Sequence, residues 1–184
     1  MINILRPLSQ SNEQKNTHEL LFRKFNVINI MTYMSRMEIE KFLMHGTFTA
    51  KLATVKKDGS PHVVPIWFVL DDRKDRTTKK IGDIIFTTYE GSLKARNIQH
   101  DNRVSICVDD QTPQFSIVTL HGTARIYSSK QNELFQWATK IARRYMGKDN
   151  AEAFGKRNST EGAVLVRIRP TKIMAEKDIA EWEC

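Results

Sequence analysis

Apolar and polar positions alternate along much of the middle of the chain, and that period of two predicts β-strands. Phe48–Val55 alternates up to Lys56-Lys57-Asp58-Gly59, where the Asp-Gly pair is a strong hairpin signal. His62–Leu70 is the returning strand, Ile81–Thr88 the third and Val104–Asp109 the fourth. Phe115–Tyr127 contains one or two more, bent at His121-Gly122, and Gly162–Ile168 is the last, stopped by Pro170. Elsewhere the period lengthens to that of a helix. Ser35-Arg36-Met37-Glu38 is a capping box opening a helix to about Met44, with Met37, Ile39, Phe42 and Leu43 turned inward. Ser92 opens a second helix, to about His100. Residues 129–146 place Leu134, Trp137, Ala138, Ile141, Ala142 and Tyr145 on one face, closed by Gly147. Six or so strands with few helices between them predict a mainly β fold with flanking helices, an antiparallel barrel or sandwich. A doubly wound parallel sheet would need a helix after nearly every strand, so it is disfavoured.

Residues 1–17 are polar, and Glu19–Thr32 carry only a short apolar period, fit for a short helix or a packed arm. The expected organisation is therefore an extension, partly disordered, over 1–33 and a compact domain over 34–184. The 184 residues suit one domain with a core of its own. No apolar run reaches the length of a membrane span, and Met1–Thr17 has no signal-peptide core. The expected location is the cytoplasm, with no membrane partner. A net charge of +8 admits an anionic partner, but the cations are spread out with no basic tail, so nucleic acid is disfavoured. Cys107 and Cys184 make no disulfide framework, and His18, His45, His62, His100 and His121 lack metal-ligand spacing; no metal site is expected.

Two segments carry candidate chemistry. Pro61 and Pro65 each remove a ladder donor from a strand, which suits a strand with one side of its backbone free for a flat ligand. Alternation puts Val63, Pro65 and Trp67 on one face and Val64, Ile66 and Phe68 on the other. The second segment, Ile84–Asn97, reads as strand, Gly-containing turn and helix start. Thr87 and Thr88 offer hydroxyls at the strand end, Ser92 caps the helix, and Lys94 puts a cation in the first turn, against the helix dipole. An anion between dipole and cation would reconcile the two. An apolar strand face beside a phosphate cradle describes a phosphorylated aromatic cofactor. There is no Gly-x-Ser-x-Gly, Walker loop or Gly-x-Gly-x-x-Gly, so hydrolase and nucleotide-kinase readings lose support.

Leu52-Ala53-Thr54-Val55, Asp58-Gly59-x-Pro61-His62-Val63-x-Pro65-Ile66-Trp67-Phe68, Phe86-Thr87-Thr88, Lys94-Ala95-Arg96-Asn97-Ile98 and Asp101-Asn102-Arg103-Val104, in that order, resemble the pyridoxamine 5'-phosphate oxidase-like flavin-binding split-barrel family. The likeness is greatest to its branch of FMN- or F420 (deazaflavin)-dependent oxidoreductases. The resemblance implies a six-stranded antiparallel split β-barrel, Greek-key-like and homodimeric, with the cofactor at the subunit interface. It implies that Val64, Pro65, Ile66 and Trp67 line the ring of FMN or coenzyme F420. By the same likeness Thr87, Thr88, Ser92 and Lys94 hold the phosphate, and Asn97 supports the helix start. The Gln111–Phe115 loop and the strand near His121 would come from the partner subunit, and Lys51, Lys56 and Lys57 would face a polyanionic tail. Arg167, Arg169 and Trp182 only loosely match the substrate-phosphate motif of the oxidases proper, which argues against their substrate. The implied activity is hydride transfer between cofactor and a small conjugated substrate, with no dedicated catalytic residue. The alternative is a non-catalytic flavin or haem carrier on the same barrel.

Overall fold

The computed structural model describes residues 32–71, 81–127 and 131–180. The charged loop at 71–80, the apolar period before Thr32, Trp182 and Cys184 lie outside them, apart from Asp71. Within them the chain forms β1 (Thr32–Tyr33), α1 (Arg36–Leu43), β2 (Ala50–Val55), β3 (Pro61–Ile66), β4 (Val69–Asp71) and β5 (Asp83–Tyr89). There follow α2 (Leu93–His100), β6 (Arg103–Asp110), β7 (Ser116–Tyr127), α3 (Gln131–Met146), α4 (Ala151–Arg157) and β8 (Ala163–Lys177).

The strands pair antiparallel in the order β3-β2-β6-β7-β8-β5-β4, with β1 added to β8. A mainly β antiparallel sheet with flanking helices is thus what the sequence predicts. The count of six is not, and two backbone events explain why. First, the expected strand His62–Leu70 breaks at Trp67-Phe68 into β3 and β4, which lie at opposite edges of the sheet. Laid flat, seven strands would hold those edges roughly 29 Å apart. Three virtual bonds from Ile66 to Val69 span at most about 11 Å, so the sheet must roll up although its ladder stays open. Second, β8 does not stop at Pro170 but runs through it. The register with β7 shifts there, from Gly122↔Pro170 to His121↔Lys172, so that Thr171 is the extra residue of a bulge. A bulge tolerates the missing Pro donor, and the bend expected at His121-Gly122 lies opposite it.

Rolling gives the sheet an inside. Leu52, Ile66, Phe68, Ile84, Phe86, Ile106, Val108, Leu120, Val166 and Ile168 fill it. On the outside, α3 covers Val69, Ile85 and Leu165 with Leu134, Trp137 and Ile141. The capping box of α1 forms: Ser35 Oγ accepts from Glu38 N, and the Glu38 carboxylate accepts from Ser35 N at 2.8 Å. Lys177 binds the same carboxylate, and these bonds lower the Glu38 pKa to about 2, the Lys177 contact most. Met37 does not turn inward; it is 79% exposed while Ile39 and Leu43 are buried. At 100° per residue, Met37 lies about 160° from Ile39, on the opposite face.

Candidate functional site

β3 is an edge strand, bonded only to β2, as its two prolines require. Its faces divide as alternation predicts: Val63, Pro65 and Trp67 look outward, whereas Ile66 and Phe68 are buried and Val64 packs on the core. Pro65, Ile66 and Trp67 form one wall of a cleft of about 290 Å³. Thr87, Thr88 and Tyr89 from the end of β5 and Lys94 from the first turn of α2 form the other, with Ile141 and Asn158 also lining it.

The helix end is built as its sequence suggests. Ser92 caps α2 by accepting from Ala95 N at 3.3 Å, and its hydroxyl lies 3.1 Å from that of Thr88. Lys94 is half-buried, and among the described residues no carboxylate pairs with it. Burial lowers its pKa below the ordinary lysine value. A cation taken partly out of water, at the positive end of a helix and without a counter-charge, has an electrostatic deficit that an anion in the cleft would remove.

Trp67 is not held by the cleft alone. Its indole stacks on Tyr145 with centroids 4.9 Å apart and planes 3° from parallel. The Tyr145 hydroxyl donates to Phe48 O at 2.8 Å and accepts from Phe68 N at 3.3 Å. Burial raises the Tyr145 pKa, so the hydroxyl stays protonated. Beside it, Arg144 donates to the carbonyls of Leu43 (2.7 Å), Phe68 (2.9 Å) and Gly46 (3.0 Å), with its guanidinium 4.5 Å from the Phe68 ring. These bonds fix the β3–β4 break and, through it, the indole wall.

Of the nine residues expected to hold a cofactor, Pro65, Ile66, Trp67, Thr87, Thr88 and Lys94 share the cleft. Ser92 sits behind Thr88. Val64 turns to the core, and Asn97 is buried, donating to Thr54 Oγ1 at 2.9 Å to tie α2 to β2. Lys51 is committed to Asp109 and does not line the cleft. Tyr89, Ile141 and Asn158 were missed. Tyr89 continues the Thr87-Thr88 run, and Ile141 reads only as the apolar face of a helix. Asn158 follows α4, which has no clear sequence signal. Among the described residues, no group of three or more His, Cys, Asp or Glu is placed to hold a metal ion. Nor is any described helix long and apolar enough to cross a membrane.

A rolled antiparallel sheet, with a cleft between an edge strand and a helix N-terminus that Lys94 lines, defines a mainly β protein with a candidate ligand cleft. The family model for pyridoxamine 5'-phosphate oxidase matches residues 36–175, about three quarters of the chain, and the chain belongs to that family. Among solved structures it is similar to a conserved hypothetical protein, Rv2991, from Mycobacterium tuberculosis. That match has 26% identity, covers 84% of this chain and 92% of that one, and has a TM-score of 0.68. An F420 reductase shares the fold at 23% identity, 72% and 94% coverage and a TM-score of 0.52. So does HutZ, the haem storage protein of Vibrio cholerae, at 19% identity, 78% and 94% coverage and a TM-score of 0.58. No curated protein matches the chain.

Proposed function

We propose that this chain is a flavin- or deazaflavin-dependent oxidoreductase moving a hydride between its cofactor, FMN or coenzyme F420, and a small conjugated substrate. The observation that carries this reading is the cation without a counter-charge: Lys94 lines the same cleft as the Thr87 and Thr88 hydroxyls and the flat Pro65–Trp67 wall. The donor set fits a phosphate, and the wall fits an aromatic ring. Lys94, Thr87 and Thr88 would hold the phosphate, with Ser92 orienting Thr88. Pro65, Ile66 and Trp67 would face the ring, and Val64 and Asn97 would support them from behind. When bound, the cofactor supplies the hydride chemistry. The residues of this chain bind it, orient it and shield one of its sides from water.

The reading extends to a homodimer with the cofactor at the subunit interface. The outward, exposed positions of Val63, Trp67 and Phe115 support it, since apolar groups left in water favour association. It also extends to a cofactor-binding domain over 34–184, an extension over 1–33 and a cytoplasmic location. A haem carrier uses less of the cleft. Among the described residues lining the cleft, Tyr89 is of a type that ligates haem iron in axial sites, and its hydroxyl lies 3.1 Å from that of Thr160.

Titration of purified protein with FMN and with F420, followed by absorbance, tests the reading directly. One of the two binds at micromolar concentration; if neither does, the reading fails. Turnover of the reduced cofactor with an enone acceptor then separates an enzyme from a carrier.

A further inference from the structure

The outer face of β7 and β8 presents a second cationic arrangement that the cleft does not use. In the β7–β8 ladder Arg125 stands directly opposite Arg167, and Thr123 directly opposite Arg169. Like charges directly opposite each other on adjacent strands oppose sheet formation. Here a third guanidinium lies two residues along β8. Arg125, Arg167, Arg169, Thr123, Tyr127 and Asp83 line one concavity of about 40 Å³.

The three arginines are not equivalent. The Arg167 side chain is 16% exposed and bonded to Asp71 and Asp83, each 4% exposed. Its charge is more than met by the two carboxylates, and its position is fixed. Arg125 and Arg169 are exposed, and among the described residues neither pairs with a carboxylate. Two guanidinium forks and the Thr123 and Tyr127 hydroxyls line one concavity, a donor set of the kind an oxyanion accepts. The volume agrees. One water needs about 10–15 Å³ measured this way, so the space suits a tetrahedral ion and is too small for an aromatic ring.

We propose that this face is an oxyanion site in which Arg125 and Arg169 clamp a phosphate group over a floor formed by Arg167. The phosphate is either the free inorganic ion or the end of a phosphomonoester. The site is separate from the Lys94 cleft, with which it shares no lining residue. Tyr127 and Thr87 flank Leu165 on one rung, about 10 Å apart, and α3 packs over Leu165 between them. The proposal therefore does not depend on the cofactor reading.

The test is calorimetric titration of the full chain with inorganic phosphate and, separately, with phenyl phosphate at low salt. It uses the wild type, Lys94→Ala, and the double variant Arg125→Ala/Arg169→Ala. Arg167 is left intact because it is bonded to two buried carboxylates, whose burial its loss would make costly. Lys94→Ala is expected to keep a phosphate site. The double variant should lose about tenfold or more in affinity at that site, as expected when charge-assisted bonds are removed. Without phosphate, the double variant should melt no lower than the wild type, because repulsion has been relieved. Equal affinity for the two ligands assigns the site to the free ion, and tighter binding of phenyl phosphate to an organic phosphate. Phosphate binding that survives the double substitution unchanged would overturn the proposal. So would binding abolished by Lys94→Ala alone, or no binding at millimolar phosphate.

Discussion

Lys94 lines a cleft with Trp67, Arg144 lies against Tyr145, the ring on which Trp67 stacks, and burial lowers the pKa of both cations. Their surroundings differ in one respect. Arg144 is surrounded by backbone oxygens, those of Leu43, Phe68 and Gly46 at 3.0 Å or less, with those of Phe48 and His45 slightly farther. Lys94 has hydroxyl neighbours in its cleft and, among the described residues, no carboxylate. A buried cation satisfied by its own chain is part of the architecture. One left without a carboxylate is, in the function proposed above, the cation that meets the cofactor's phosphate.

The contrast predicts opposite consequences for the two truncations. Arg144→Ala should lower unfolding stability by about 3 kcal/mol, the upper end for charge-assisted hydrogen bonds, as a denaturant midpoint would show. An unchanged midpoint would mean that the carbonyl cluster is adequately hydrated without it. Lys94→Ala should leave stability within about 0.5 kcal/mol, yet weaken cofactor binding by roughly 1.5–3 kcal/mol. A dissociation constant equal to wild type would remove Lys94 from the site.

The same lysine gives a pH signature. Its pKa is depressed in the free protein, and a bound phosphate favours the charged form. Affinity should therefore be full below the depressed pKa and fall as pH rises through it, at lower pH than an ordinary lysine would show. Lys94→Arg should flatten that decline, because a guanidinium keeps its proton; a profile unchanged by this substitution would place the titration elsewhere.

Tyr145→Phe keeps the stack but deletes the hydroxyl bonds to Phe48 and Phe68. It should cost about 0.5–1.5 kcal/mol of stability and leave phosphate affinity unaltered, which thermal melts with and without phosphate can separate. The smallest effect concerns Glu38. Its pKa falls from an ordinary value of 4.5 to about 2, so its contribution is complete above 4.5 and is lost as pH drops from there toward 2. In Glu38→Gln the melting temperature should decline less steeply across that window.

The legible parts of this molecule were those governed by local backbone chemistry. Pro61 and Pro65 marked an edge strand because a residue without an N–H cannot sit between two partners. Ser35 and Ser92 marked helix starts because their hydroxyls satisfy orphan amides. What escaped depends on distant neighbours. α4 has seven residues with Gly155 among them, a poor helix by propensity. It is held by packing on α3, where a Cβ at Gly155 would lie 2.1 Å from Thr139 Oγ1. The bulge that lets β8 pass Pro170 is invisible without β7 beside it. In the cleft, the local run Thr87–Lys94 was readable, but Ile141 and Asn158 arrive from elements far along the chain. Asn97 lies in α2, but its partner Thr54 belongs to a strand more than forty residues earlier.

The position of β8 also governs how the protein is made. Among the described strands it alone joins β7 to β5, so without it the sheet falls into β3-β2-β6-β7 and a separate β5-β4 pair. It also follows every other described strand in the chain. A ribosome releasing this polypeptide from its N-terminus therefore exposes two half-sheets with bare apolar faces and open edges before the connecting strand emerges. Closure of this sheet must wait until Ala163–Lys177 has emerged, and a nascent chain stalled before residue 163 is a natural client for a chaperone.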